Sequence, residues 1–148
     1  MNLFFYLLTR QNYQLLPELT LEENIALPQL LYSEKPDAAW RQELIDCLGL
    51  AHLTKRYPSE LSGGEQQRCA IARALINHPS IIFADEPTGN LDKKTRQDVM
   101  QLLLKVQRLY RPMLILVTHD LDIARMADQI LRLEDGQLIR NQEASDEN

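Results

Sequence analysis

Residues Ile81 to Asp92 read IIFADEPTGNLD: a short apolar run, two acids, a Pro-Thr-Gly-Asn turn, then Leu-Asp. An apolar run of this length bounded by turn residues predicts a strand buried on both faces of a parallel sheet. Asp85 and Glu86 then stand at its carboxyl end, which is where open α/β sheets hold their ligands. A carboxylate in that place can hold Mg²⁺ directly or through water, and its neighbour can orient or deprotonate an attacking water. Taken alone, the pair reads equally well as two acids that open a loop.

Upstream lies LSGGEQQRCAIARAL, Leu61 to Leu75. Ser62 and Glu65 have the spacing of a capping box, so a helix begins here and should run to about Asn77 before Pro79. Gly63 and Gly64 leave backbone N–H groups open at the positive end of that helix, where a phosphate can dock. By itself the tetrapeptide is read more simply as a plain N-cap after a tight turn.

Downstream, Lys93 to about Tyr110 carries Val99, Leu102, Leu103, Val106 and Tyr110 at helical spacing. MLILVT, from Met113, repeats the buried-strand pattern and brings His119 to the same rim as the acids, although a histidine beside an Asp120 helix cap explains that residue too. ILRLEDGQLI forms a hairpin turning on Asp135-Gly136, and the polar tail NQEASDEN should fray. The first half reads helical. Thr20 to Glu23 is a capping box opening a helix that Pro28 should kink or end, and a second helix runs from about Asp37 to Leu48, burying Leu44, Ile45 and Leu48 with Gly49 at its C-cap. LFFYLL, from Leu3, is too short for a membrane span and lacks a signal peptide's basic start and cleavage site, so it is read as a buried strand or a non-native end.

The chain has 148 residues, 45% hydrophobic and 25% charged, enough for one domain with a real core. Its net charge of -5 argues against nucleic acid as a main partner. Cys47 and Cys69 lie far apart with no histidine cluster nearby, which suggests neither zinc nor disulfide and fits a reduced, cytoplasmic setting.

From about Gln11 to Arg140 these motifs, in this order and spacing, resemble the ATP-binding subunits of ABC transporters. LSGGEQQR is similar to the family signature, IIFADE to its Walker B motif, GNLD to its D-loop and VTHD to its switch histidine. QNYQLLPELTLEENIALP looks like a Q-loop leading into the helical subdomain, and the wording LLPELTLEEN with PTGNLD is most similar to the lipoprotein-release and macrolide-export branch. The resemblance implies an α/β fold: part of a P-loop NTPase core with a parallel sheet, plus a small α-helical subdomain. Residues 1–11 would be a remnant strand and the start of the Q-loop. Residues 12–78 would be the helical subdomain with the signature, 79–140 the C-terminal part of the core, and 141–148 a disordered tail. It also implies roles, with ATP and Mg²⁺ as cofactors. Asp85 would hold the metal, with Gln11 sensing it and the membrane partner. Glu86 would be general base and His119 would contact the γ-phosphate. Ser62, Gly63, Gly64 and Glu65 would face the nucleotide of an opposite subunit, with Asp92 of the D-loop beside it. Implied partners are a membrane-embedded permease and a second ATP-binding subunit, at the inner face of the cell membrane.

The sequence departs from that pattern in one respect. Glycines occur only at 49, 63, 64, 89 and 136, so no G-x-x-x-x-G-K-[ST] phosphate loop can be drawn, even degenerately. A truncated gene, a frameshift or a misplaced start would each produce this, and the expectation is a chain without ATPase activity by itself. Two rivals remain. A DNA-repair ATPase of the SMC type predicts a long heptad segment before the signature, where residues 12 to 60 are short, proline-interrupted helices. A non-catalytic interaction fragment is the other.

Overall fold

The computed structural model describes residues 5–8, 14–32, 35–89 and 91–140. They form two compact units that divide between Val117 and Thr118.

The first unit holds a parallel three-stranded sheet in the order β1-β2-β3 (Phe5–Leu8, Ile81–Asp85, Met113–Val117) and four helices. Phe5 pairs with Ile81 and Leu8 with Ala84, while Ile81 pairs with Met113 and Asp85 with Val117. Parallel neighbours need long crossovers, and the connection from β2 to β3 is α4 (Lys93–Tyr110). Preceding β2 are α1 (Leu21–Tyr32), α2 (Ala38–Cys47) and α3 (Gly63–Leu75), with 3-10 turns at Ala51–Leu53 and Pro58–Glu60. The α3 helix is central, lying against α1, α2, α4 and β1. Its face of Cys69, Ile71, Leu75 and the following Ile76 meets a core that includes Leu21 and Ile25 of α1, Leu44 and Ile45 of α2, and Val99, Met100, Leu103 and Val106 of α4.

The caps expected from sequence are present. Thr20 Oγ1 accepts from the Glu23 amide, and the Glu23 carboxylate accepts from both the Thr20 amide and hydroxyl. Asp37 caps α2 by accepting from the Trp40 amide, and Gly49 follows that helix with φ +67, a conformation that costs glycine little. Pro28, by contrast, does not end α1, which runs four residues further to Tyr32. The ring removes one N–H, the bond that would have gone to the Asn24 carbonyl. The loss is tolerated because Pro28 is buried and its own carbonyl accepts from Asn77 Nδ2 at 3.3 Å.

Burial on both sheet faces is a second expectation needing correction. In β2, Ile82 and Ala84 are buried while Ile81 and Phe83 are only half-buried, and β3 is more open still, with Met113 60% and Val117 55% exposed. As the last strand of the sheet, β3 has a neighbour on one side only among the described residues.

The second unit comprises α5 (Leu121–Ala124), one turn capped by Asp120, and the hairpin of β4 (Leu131–Glu134) with β5 (Gln137–Arg140). Glu134 pairs with Gln137 across Asp135-Gly136, both at positive φ (+47 and +76), the geometry of a two-residue type I′ turn.

Candidate active site

The carboxyl end of β2 is built by an abrupt change of backbone direction. Asp85 occupies the last rung, opposite Val117, and is exposed. Glu86 follows with φ +46, a left-handed conformation uncommon outside glycine, and its N–H donates to the Val117 carbonyl at 2.9 Å. A turn then closes with Gly89 N–H on the Glu86 carbonyl at 3.0 Å and Leu91 N–H on the Thr88 carbonyl at 3.2 Å. Pro87 and Thr88 are buried beneath it. Glu86 is thus half-buried beside an exposed Asp85, on backbone fixed from both sides. Left-handed non-glycine residues held in this way concentrate at functional sites.

Two residues later the chain enters α4, capped by Asp92. The Asp92 carboxylate accepts from the Lys94 and Thr95 amides at 3.1 Å each and from the Thr95 hydroxyl. The hydroxyl and amide of Thr95 hold this carboxyl below its ordinary range.

The α3 N-terminus is a complete capping box. Glu65 Oε2 accepts from the Ser62 amide at 2.7 Å and the Ser62 hydroxyl at 2.8 Å, while Ser62 Oγ accepts from the Glu65 amide at 3.4 Å. These hydrogen bonds, the backbone one first, lower the Glu65 carboxyl from its ordinary value. The simple N-cap reading therefore describes Ser62 and Glu65 as they stand. Gly64 has a packing reason as well: a Cβ there would lie 2.7 Å from Thr95 Cγ2. Gly64 is thus a point of close contact between α3 and α4.

Within the first unit the fold therefore joins Asp85 to Glu86 and brings Gly64 to the Asp92 cap through Thr95. His119 is exposed and belongs to the second unit, one residue before Asp120, whose side chain accepts from the Asp122 and Ile123 amides at 3.0 and 3.4 Å. Gln11 lies outside the described residues. Among those described, no group of three or more His, Cys, Asp or Glu residues is placed to hold a metal ion. Mg²⁺ sites on nucleotide enzymes need only one or two carboxylates, because phosphates and water complete the octahedron. An exposed Asp85 beside Glu86 at a strand's carboxyl end fits that demand. Sequence reasoning missed Thr95. Its spacing from Asp92 could have marked it as a cap partner, but nothing local in sequence announces its contact with Gly64.

A parallel sheet carrying two carboxylates at a strand end, with a helix opened by two glycines packed on the same unit, is an α/β arrangement with a strand-end site. The chain matches the ABC transporter family over residues 7–89 and belongs to it. It is 49% identical over 130 residues to the lipoprotein-releasing system ATP-binding protein LolD of Xanthomonas axonopodis pv. citri, covering 86% of this chain and 53% of that protein. It is 47% identical over 131 residues to LolD of Pseudomonas syringae pv. tomato, covering 87% of this chain and 58% of that one. The chain thus spans about half the length of the curated relatives it matches. Among solved structures it is similar to the ATP-binding cassette MJ0796 in a dimeric post-hydrolysis state bound to ADP and Pi, with TM-score 0.73 and 36% identity over 93% of this chain and 64% of that one. It is also similar to cbiO1 from Clostridium perfringens, part of the ABC transporter complex cbiONQ, with TM-score 0.82 and 25% identity over 91% of this chain and 55% of that one.

Proposed function

We propose that this chain supplies the water-activating and signature portions of an ABC-type ATPase that drives export, in the manner of a lipoprotein-releasing system. The observation that carries the reading is Glu86, held half-buried at positive φ directly after Asp85 at the end of β2. A bound Mg²⁺ would supply charge neutralisation for phosphoryl transfer. Asp85 would hold that ion. Glu86 would accept the proton of the attacking water, its backbone held at the strand end by the N–H bond to the Val117 carbonyl. His119 would contact the γ-phosphate, and Gln11 would respond to the metal and the membrane partner.

The Ser62 to Gly64 backbone would face the nucleotide of a second ATP-binding subunit, with Asp92 beside it. The dimeric form of the similar MJ0796 cassette supports such a partner. The remaining partner would be a permease. No helix among the described residues is long and apolar enough to cross a membrane, and the chain would act at the inner face through that permease.

Phosphoryl-transfer catalysis is mostly positioning and charge stabilisation. The 148 residues contain no phosphate loop, so turnover would require one supplied from outside this sequence. The test is to fuse a phosphate-loop segment of a matched relative ahead of residue 11 and compare the fusion with its Glu86→Gln variant. The reading expects ATPase activity in the first, and in the second nucleotide binding without turnover. Normal turnover by the variant would remove Glu86 from the role of base.

A further inference from the structure

Thr95 touches both candidate nucleotide-facing elements of the first unit, with a different part of its side chain on each. Its methyl group sits where a Cβ on Gly64 would approach to 2.7 Å, and its hydroxyl donates to Asp92 Oδ2. The Thr95 amide also donates to Asp92 Oδ1, so the carboxylate is held on both oxygens by one residue. A threonine has a single χ1, and because Cβ bears both groups, turning the methyl away from Gly64 also turns the hydroxyl away from Asp92. The α3 side of the contact is rigid. Gly64 is buried in the first turn of a helix whose cap is fixed by the reciprocal Ser62 and Glu65 bonds. The α4 side can respond, since Asp92 is exposed and its Oδ2 loses a bond when the Thr95 hydroxyl leaves, while its Oδ1 stays on the Lys94 and Thr95 amides.

We propose that Thr95 is a positioning residue that couples the first turn of α3 to the Asp92 carboxylate, its methyl bearing on Gly64 and its hydroxyl holding Asp92. The mechanical claim stands on these contacts alone. Its consequence for ATP hydrolysis, that displacement of the glycine turn by a nucleotide frees one oxygen of Asp92, rests on the function proposed above. The coupling deepens that function by making the signature and the aspartate loop one unit within a single chain. It also gives Gly64 a packing task beside Thr95, separate from that of its backbone N–H.

The experiment follows the Asp92 side-chain carboxyl by ¹³C NMR through an acid titration of the full 148-residue chain, which needs neither nucleotide nor partner. Thr95→Val keeps the methyl and removes the hydroxyl, so the Asp92 midpoint should rise. Thr95→Ser keeps the hydroxyl and should leave it near that of the unsubstituted chain. Gly64→Ala should raise the midpoint without touching Asp92 or the hydroxyl chemically, and Gly64→Ala with Thr95→Ser should bring it back, because serine lacks the methyl that the new Cβ strikes. An unmoved midpoint in Gly64→Ala, or one that serine fails to rescue, would overturn the coupling. If Gly64→Ala does not fold, the valine and serine variants decide: equal midpoints in the two would show that the Thr95 hydroxyl does not hold Asp92. Activity of the fusion described above is measured separately, so loss of the proposed function leaves this result intact, and the reverse.

Discussion

The side chain of Asn24 holds both backbone groups of Leu16: its Oδ1 accepts the Leu16 N–H at 2.8 Å and its Nδ2 donates to the Leu16 carbonyl at 3.0 Å. The same Nδ2 reaches the carbonyls of Leu19 and Thr20, also at 3.0 Å, and Asn24 is fully buried. The segment from Leu16 to Thr20 is therefore fastened by one amide of the first helix. Arg73 of α3 adds a second fastening by donating to the Gln14 carbonyl.

Replacing Asn24 by alanine takes this partner from the Leu16 N–H and the Leu19 carbonyl, while the carbonyls of Leu16 and Thr20 keep the amides of Leu19 and Asn24. A fully buried polar group left unsatisfied costs on the order of 1–3 kcal/mol, and these bonds are only partly buried, so the substitution should lower stability by about 1–2 kcal/mol in urea unfolding. Asn24→Asp should do no better near neutral pH, since a carboxylate has no proton to offer the three carbonyls. A loss below about 0.5 kcal/mol for Asn24→Ala would show that the loop is held by other means.

The capping boxes impose an acid limit. Glu65 and Glu23 each have a folded-state pKa lowered by hydrogen bonds from Ser62 and Thr20 respectively. A depressed carboxyl stabilises the fold above its unfolded value, near 4.3, and that contribution is lost as pH falls through the lower folded value. Stability should therefore decline as the pH drops below about 4, and the decline should be shallower in Glu65→Gln. Ser62→Ala should cost about 1 kcal/mol near neutral pH. An acid slope unchanged by Glu65→Gln would remove Glu65 from this account.

Trp40, the only tryptophan in the chain, stacks on His78 with ring centroids 4.4 Å apart and meets Tyr110 edge-on at 4.7 Å. Its indole N–H donates to the Leu75 carbonyl at 3.3 Å, which joins α2 to the end of α3. Removing the exposed imidazole opens the indole to water, so His78→Ala should shift Trp40 emission to the red with the fold retained by circular dichroism. Unchanged emission would contradict the stacked arrangement.

The two thiols should behave differently. Cys69 is buried in α3, and burial pushes its pKa up to about 12, whereas Cys47 is partly exposed at the end of α2. Thiolate is the reactive form, so a disulfide reagent at neutral pH should label Cys47 alone in the folded chain and both cysteines in denaturant. Labelling of Cys69 at a rate like that of Cys47 would mean the α1–α3 core opens readily.

Much of this molecule can be read from its sequence because the signals are local. Ser62-x-x-Glu65, Asp37 before α2, Gly49 after it and Asp135-Gly136 each satisfy their own backbone groups within a few residues, so pattern and structure agree. Pro28 does not end α1, because a local rule about a missing N–H gave way to burial against the rest of the core. The exposure of Met113 and Val117 was misread because an apolar strand records the sheet it suits and not the neighbours it has among the described residues. Asp85 and Glu86 were legible as a pair at a strand end, but the left-handed backbone of Glu86 was not, since glutamate carries no sequence signal for positive φ. Thr95 and Asn24 were missed for a common reason: Gly64 and Leu16 become their neighbours only when helices and loops pack.

The proposed function gives this sequence carboxylates for metal and water, and a signature turn, without a phosphate loop among its 148 residues. Isothermal titration of the 148-residue chain with Mg-ATP tests it most directly. The account predicts no saturable heat in the micromolar range for the chain alone, and saturable binding once the phosphate-loop segment is fused to it. Saturable micromolar binding by the unmodified chain would contradict the account and would require a nucleotide site built from other residues.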